Sequence, residues 1–173
     1  MGERGSMTSK SFKYNWDWQL QHIDQIKTII KSQAMHIIKV EISTPENDMK
    51  YATDLEIQIT GGSVAVRIRR DIQWRDITIR AKNGNSKTEI HKLREGYADW
   101  YLYAWTMENK IVEWVLLDIN IMRLIKLFDE TRPIIMNKDG YTGFITYSLP
   151  ELNKIGAIVA ADLLVINKGI TNG

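Results

Sequence analysis

The chain contains no cysteine and only three histidines among its 173 residues. Without thiols it forms neither disulfides nor zinc–cysteine centres, and it has no cysteine nucleophile. The histidines, His22, His36 and His91, are far apart in the sequence and match no His-x-x-x-His pair. These absences argue against a zinc enzyme, and the lack of cysteine fits a reducing compartment.

Long apolar runs are also missing. No segment reaches the roughly 18 apolar residues that a membrane-spanning helix needs, and the first residues lack the apolar core of a secretory signal. We therefore predict a cytoplasmic protein with no membrane partner. The opening heptapeptide resembles a cloning scar or a leader with a second start at Met7, and residues 1–14 are interpreted as a poorly ordered leader or tag.

The composition is that of a folded domain, with 44% hydrophobic and 25% charged residues. A chain of this length buries roughly 70% of its unfolded surface, so its core needs no disulfide or structural metal. We expect one domain.

Charge is concentrated in the middle of the chain. Residues 67–94 hold nine Lys and Arg against three Asp and Glu, whereas the whole chain has a net charge of only +2. A basic block on a nearly neutral chain suggests a surface that meets phosphates. The alternative is a solvated strand edge and helix face, because edge strands use basic residues to prevent aggregation.

Periodicity predicts the first elements. Apolar residues spaced by three and four predict a helix from Trp16 to about Gln33, with Asn15 placed to cap it. The segment 36–43 fits either a helix end or a short strand. From Ala52 the period changes to two, and two alternating runs joined by Gly61-Gly62 predict a β-hairpin.

The remaining patterns predict a mixed sequence of strands and helices. In order, they are a strand over Asp76–Ala81, a helix from Lys87 to about Met107, a buried strand over Ile111–Ile119, a short helix over Ile121–Phe128, a strand over Phe144–Tyr147 and a short helix opened by the capping box Ser148-Leu-Pro-Glu151. This order predicts an α/β protein with a mixed central sheet flanked by helices. We assign residues 15–128 to its core and 129–173 to a small C-terminal extension packed on that core.

The predicted hairpin gathers charges of both signs. Asp54 opens its first strand, and Arg67 and Arg69 lie on the second. Hydrolysis of a phosphodiester with a metal needs carboxylates that hold the ion and a cation that orients water or neutralises the phosphorane. Adjacent strands deliver both to one face, although cross-strand salt bridges explain the same residues.

Here the sequence resembles the PD-(D/E)xK nuclease superfamily. Its signature is an acid at the start of the second core strand and Glu-x-Lys on the third, and residues 51–54 (Tyr-Ala-Thr-Asp) and 64–70 (Val-Ala-Val-Arg-Ile-Arg-Arg) occupy those places. The match covers about residues 16–120 and is most like phage members. It implies a restriction-endonuclease-like core, a Mg²⁺ or Mn²⁺ cofactor, a DNA substrate and, as in many relatives, a homodimer.

The resemblance also implies roles for individual residues. Asp54 ligates the metal, and Arg67 or Arg69 replaces the signature lysine. The signature glutamate is missing, because Ala65 or Arg67 stands in its place. Glu56, or Glu89 at the start of the second predicted helix, is the candidate replacement. Glu89 has an alternative explanation, since an acid in a first helical turn is stabilised by the helix dipole.

Two further groups of residues bear on nucleic-acid binding. Predicted contacts to the phosphate backbone come from four residues of the basic block, Arg70, Arg75, Arg80 and Lys82. Trp74, between arginines in a loop, is a candidate for stacking on an unpaired base or inserting at a groove, and a hydrophobic loop anchor explains it equally well. The aromatic stripe Trp100, Tyr101 and Trp105 is more typical of a core than of a base-stacking platform. The sequence therefore predicts a metal-dependent DNA endonuclease, with an inactive nucleic-acid-binding module as the main alternative.

Overall fold

The computed structural model describes residues 14, 17–33, 39–42, 55–58, 62–70, 75–129 and 131–163. For residues 33, 39–42 and 55–58 it describes the backbone alone. Asn15, Asp54 and Trp74, to which the sequence assigns roles, lie outside the described residues. The chain divides into two compact units, Met1–Ile37 and Ile38–Gly173.

The first unit contains the predicted amphipathic helix. Residues 17–20 are helical, a turn follows at residues 21–22, and helix α1 spans Ile23–Gln33. Ile26 and Ile30 are buried, whereas Asp24 and Lys31 are exposed. The spacing of the apolar residues thus predicts the helix correctly, and its proposed cap lies outside the described part of the chain.

Six strands of the second unit form a mixed sheet, called here the large sheet. In spatial order they are β1 (Lys39–Ile42), β2 (Leu55–Gln58), β3 (Ser63–Arg69), β5 (Trp100–Met107), β6 (Lys110–Asp118) and β9 (Ile158–Asp162). β3 and β5 are parallel, and the other neighbouring pairs are antiparallel. The β2–β3 pair confirms the predicted hairpin, and β1 shows that the segment left open between helix and strand forms a strand.

Three more strands form a small sheet in the order β4 (Ile77–Asn83), β8 (Thr142–Tyr147) and β7 (Ile135–Met136). All pairs in it are antiparallel. Ile77 pairs with Tyr147 and Ile79 with Ile145, and all four side chains are buried. The sequence predicts the strands β4 and β8 but not their pairing. It therefore does not predict a second sheet.

Among its described residues, the second unit also contains three helices of six residues each, α2 (Glu89–Arg94), α3 (Ile119–Leu124) and α4 (Leu149–Lys154), and a 3₁₀ turn over Leu127–Asp129. Asp118 caps α3, since its Oδ1 accepts from the backbone N–H groups of Asn120 at 2.8 Å and Ile121 at 3.1 Å. Ser148 caps α4, and its Oγ accepts from Glu151 N–H at 3.3 Å. The predicted cap at Ser148 is thereby confirmed.

The helix predicted from Lys87 to Met107 is wrong beyond Arg94. Helix α2 ends there, and Gly96 follows with a φ of 100°. Two hydrogen bonds close this end, from Gly96 N–H to the Leu93 carbonyl at 3.4 Å and from Tyr97 N–H to the Lys92 carbonyl at 3.1 Å. This pair of bonds is the Schellman motif, in which glycine supplies the left-handed residue that stops a helix.

The aromatic stripe beyond Gly96 is the strand β5. In this strand Tyr101, Tyr103 and Trp105 alternate with Leu102 and Ala104, and none of the five has measurable exposure. Burial on both faces produces a continuous apolar run, whose spacings of three and four also match a helix. The prediction that the stripe belongs to the core is confirmed for Tyr101 and Trp105.

The protein is therefore of the mixed α/β class, with a mixed sheet accompanied by helices, as the sequence predicts. Residues beyond 128 contribute β8 to the small sheet and β9 to the large sheet. None of the described helices is long and apolar enough to cross a lipid bilayer.

Candidate functional site

Two arginines of β3 extend from the large sheet to the small sheet. Alternation along the strand places Arg67 and Arg69 on one face, next to Tyr103 and Trp105 of the parallel strand β5. Nη1 of Arg67 donates to the Thr78 carbonyl oxygen at 3.0 Å. Nη1 of Arg69 donates to the Thr78 hydroxyl, also at 3.0 Å. Both guanidinium groups are thereby fixed against β4.

The Thr78 hydroxyl is held in turn by Tyr103. Thr78 is 6% exposed and Tyr103 is fully buried. Their hydroxyl oxygens are 2.8 Å apart, and Tyr103 Oη also lies 3.3 Å from Thr78 N and 3.4 Å from Arg69 Nη1. Buried polar groups that are fully hydrogen-bonded make a rigid support. The arginine positions therefore depend on core side chains.

Glu89, the first residue of α2, lies against Arg67. Its Oε2 is 3.3 Å from Arg67 Nη2 and accepts the backbone N–H of Arg80 at 2.9 Å. Its Oε1 accepts the hydroxyl of Tyr101 at 2.6 Å. Burial, and then the charge of Glu89, raise the pKa of Tyr101 well above its usual value, so this hydroxyl stays protonated and donates.

Arg67, Arg69 and Thr78 border a cleft of about 250 Å³, called here the arginine cleft. It is lined by Arg67, Arg69, Thr78, Arg80, Asn137, Gly143 and Phe144. Three of its residues carry guanidinium groups, and none is acidic. Such a site favours an anion, because guanidinium donors match the oxygens of phosphate and carboxylate groups.

Arg80 is the outermost of the three arginines. Its backbone N–H binds Glu89, its side chain is exposed, and it forms no salt bridge with a carboxylate among the described residues. Arg67, by contrast, retains 24% side-chain exposure beside Glu89. A ligand would meet Arg80 first and reach Arg67 within the cleft.

The structure separates the other predicted phosphate-binding residues. Arg70 is exposed at the end of β3. Arg75 forms an ion pair with Glu113, whose side chain is completely buried. A buried carboxylate needs such a partner, so Arg75 has a structural role. Lys82 lies outside the arginine cleft.

Lys82 borders a second, more open cleft of about 400 Å³. It is lined by residues 81–88 and His91. Lys87 in this group pairs with Glu95 at 2.5 Å. The Nδ1 atom of His91 lies 2.7 Å from the Thr88 hydroxyl and accepts the Thr88 N–H at 3.3 Å, so the imidazole caps helix α2.

The predicted metal ligands remain predictions. Asp54 lies outside the described residues, and of Glu56 the structure describes only the backbone, which pairs with Ser63 across the hairpin. Both oxygens of Glu89 have hydrogen-bond partners. Among the side chains that are described, no group of three His, Asp or Glu residues could hold a metal ion.

Neither models of known protein families nor curated proteins match this sequence. Two features of the chain remain as indications of its function: the geometry of the arginine cleft and the resemblance of the strand sequences to a nuclease motif.

Several residues of the cleft have no signature in the sequence. Thr78 and Arg80 lie in a strand that the pattern predicts, but Asn137 and Phe144 reach the cleft through the pairing of β4 with β8. Alternation in β8 indicates that Phe144 faces away from Ile145. That alternation was the one available signal that Phe144 is not a core residue.

Proposed function

We propose that this protein binds nucleic acid by holding backbone phosphates in the arginine cleft. The observation that carries the proposal is the convergence of Arg67, Arg69 and Arg80 from two sheets onto one cleft. Neutralising phosphates with basic side chains supplies most of the sequence-independent affinity of such proteins. Because Arg67 and Arg69 are fixed by Thr78, little side-chain entropy is lost when they bind.

The arrangement of the strands supports DNA as the nucleic acid. β2 and β3 are an antiparallel pair that follows a helix and β1, and α2 and the parallel strand β5 come next. The resemblance to PD-(D/E)xK nucleases needs such a pair, since its acid and its basic residue come from neighbouring strands. A restriction-endonuclease-like core is part of this proposal.

Replacing the exposed arginine of the cleft tests the binding proposal. Arg80→Gln should weaken DNA binding about tenfold, because a hydrogen bond between charged groups contributes about 1.5 kcal/mol. Fluorescence anisotropy in EDTA measures this affinity without any contribution from a metal. Lys154→Gln, which removes the same charge from the exposed end of α4, is the matched control. Equal affinities of the two variants would contradict the proposal.

A metal-dependent endonuclease is the second candidate function, and one contact favours it. Glu89 lies 3.3 Å from Arg67, so a carboxylate from the helix meets the basic residue of β3. The resemblance anticipates this position for a glutamate that has moved from the third strand. Asp54, Glu56 and Glu89 would be the ligands of Mg²⁺ or Mn²⁺, which polarises the phosphodiester and lowers the pKa of a bound water.

The described side chains by themselves do not fit such an ion. Glu89 is the one carboxylate in contact with Arg67 in the described part of the chain, and its charge is already compensated there. Magnesium in proteins takes oxygen ligands that include one or two carboxylates. A metal site would depend on Asp54 and Glu56.

Asp54→Ala separates the two candidate functions. If the protein is an endonuclease, this variant should lose Mg²⁺-dependent cleavage of DNA while its affinity stays within a few-fold of the wild type. Asp162→Ala, at an exposed position of β9, is the matched control and should cleave normally. If the wild type cleaves no linear, branched or single-stranded DNA with Mg²⁺ or Mn²⁺, the enzymatic candidate is wrong and the binding function stands.

A further inference from the structure

Phe144 is an aromatic side chain on the face of the small sheet that also carries Thr78 and Arg80. Its register partners are Arg80 on β4 and Ile135 on β7, so these three residues form a row across the sheet. Its neighbours along β8, Ile145 and Tyr147, point the other way and are buried in the core. Phe144 is half-buried and lines the arginine cleft.

The sheet surface beside Phe144 is apolar and accessible at Ile135. This residue is 47% exposed and lies next to Phe144 on the edge strand β7. The surface therefore combines an exposed apolar edge with three neighbouring guanidinium groups. The guanidinium groups suit phosphates, and the apolar edge suits the faces of aromatic bases.

The size of the cleft favours binding of a single strand over binding of a duplex. The cleft of about 250 Å³ has room for a phosphate and part of a nucleoside, whereas a duplex is too wide to enter it. A duplex would meet the exposed Arg80 first. An extended strand can also bring a phosphate to Arg67 and Arg69 inside.

Base pairing also favours a single strand over a duplex at this cleft. In a duplex each base is stacked between its neighbours, and its face is not available to a protein side chain. An unpaired base can be splayed out and stacked on an aromatic ring, while arginines hold its phosphate.

We propose that the arginine cleft binds single-stranded DNA, with an unpaired base stacked on Phe144 and the adjacent phosphate held by Arg67, Arg69 and Arg80. This inference rests on the proposed nucleic-acid binding and names its substrate class. Ile135, the register partner of Phe144 on β7, extends the apolar surface beside the ring.

The test compares an oligothymidylate with a hairpin duplex of the same total length, by fluorescence anisotropy in EDTA. The wild type should bind the single strand at least about tenfold more tightly than the duplex. Phe144→Leu keeps an apolar side chain but removes the ring, and should lose about tenfold in affinity for the single strand. Its loss of affinity for the duplex should be smaller, because a paired base offers no face to the ring. Phe144→Tyr, which keeps the ring, should retain single-strand affinity.

A spectroscopic readout distinguishes stacking from a general loss of structure. In a single strand that carries 2-aminopurine, the fluorescence of this base should be quenched by the wild type and by Phe144→Tyr. At saturating protein, Phe144→Leu should not quench it. Thermal unfolding of the three proteins verifies that each is folded. Duplex binding equal to or tighter than single-strand binding, or quenching that Phe144→Leu leaves intact, would overturn the inference and spare the proposed function. If neither DNA binds, both fail.

Discussion

At the scale of single residues, Glu89 shows how a candidate ligand can have a second role. The sequence offers it either as a displaced metal ligand or as an acid at a helix start. In the structure it joins three elements, because it accepts from Arg80 of β4 and Tyr101 of β5 and pairs with Arg67 of β3. These contacts organise the cleft whether or not a metal binds.

The raised pKa of Tyr101 predicts that the stability of the fold depends on pH. Its pKa is raised by burial and by Glu89, so above the usual tyrosine value of about 10 the unfolded chain loses this proton before the folded one does. The free energy of unfolding should therefore fall as the pH rises past about 10, and this group should contribute no slope below that value. Tyr101→Phe should reduce the decline.

Urea unfolding from about pH 8 to about pH 11 measures this slope. The matched control is Tyr141→Phe, since Tyr141 is 58% exposed. A Tyr101→Phe variant that declines as steeply as the wild type would show that this proton does not contribute.

At the scale of elements, the local signals predict most of the described helices and strands correctly. The hairpin β2–β3 follows from alternation and glycines, the strand β6 from an apolar run, and the capped helix α4 from a single serine. The error lies at Gly96. The aromatic stripe fits the period of a helix as well as that of a strand, and the predicted helix continues through a glycine, which stops it. The pairing of β4 with β8 links distant segments, and local patterns carry no information on which strands meet.

Gly96 provides a prediction at this scale. Its φ of 100° is costly for alanine, and an added Cβ would have no atom within 4 Å, so the cost is purely conformational. Gly96→Ala should lower the free energy of unfolding by about 1–2 kcal/mol. Gly96→Asn should lose less, because asparagine tolerates the left-handed region better. Urea midpoints measure both, and equal midpoints for wild type and Gly96→Ala would contradict the assigned helix end.

At the scale of the whole molecule, the fold divides the basic block into two kinds of charge. Arg75, Lys87 and Arg94 pair with Glu113, Glu95 and Asp129, and so act within the protein. Arg67, Arg69 and Arg80 meet at the arginine cleft, where Arg67 also pairs with Glu89. The sequence locates the block but cannot separate these groups, because their partners come from distant strands and helices.

The salt dependence of DNA binding tests the central claim most directly. With three phosphate contacts on a single strand, the logarithm of the association constant should fall against the logarithm of salt concentration with a slope of about −2. Between about 50 mM and 200 mM salt, Arg80→Gln should reduce the steepness of that slope by about 0.7, and Lys154→Gln should leave it unchanged. A slope near zero for the wild type, or the same slope for all three proteins, would contradict phosphate binding in the arginine cleft.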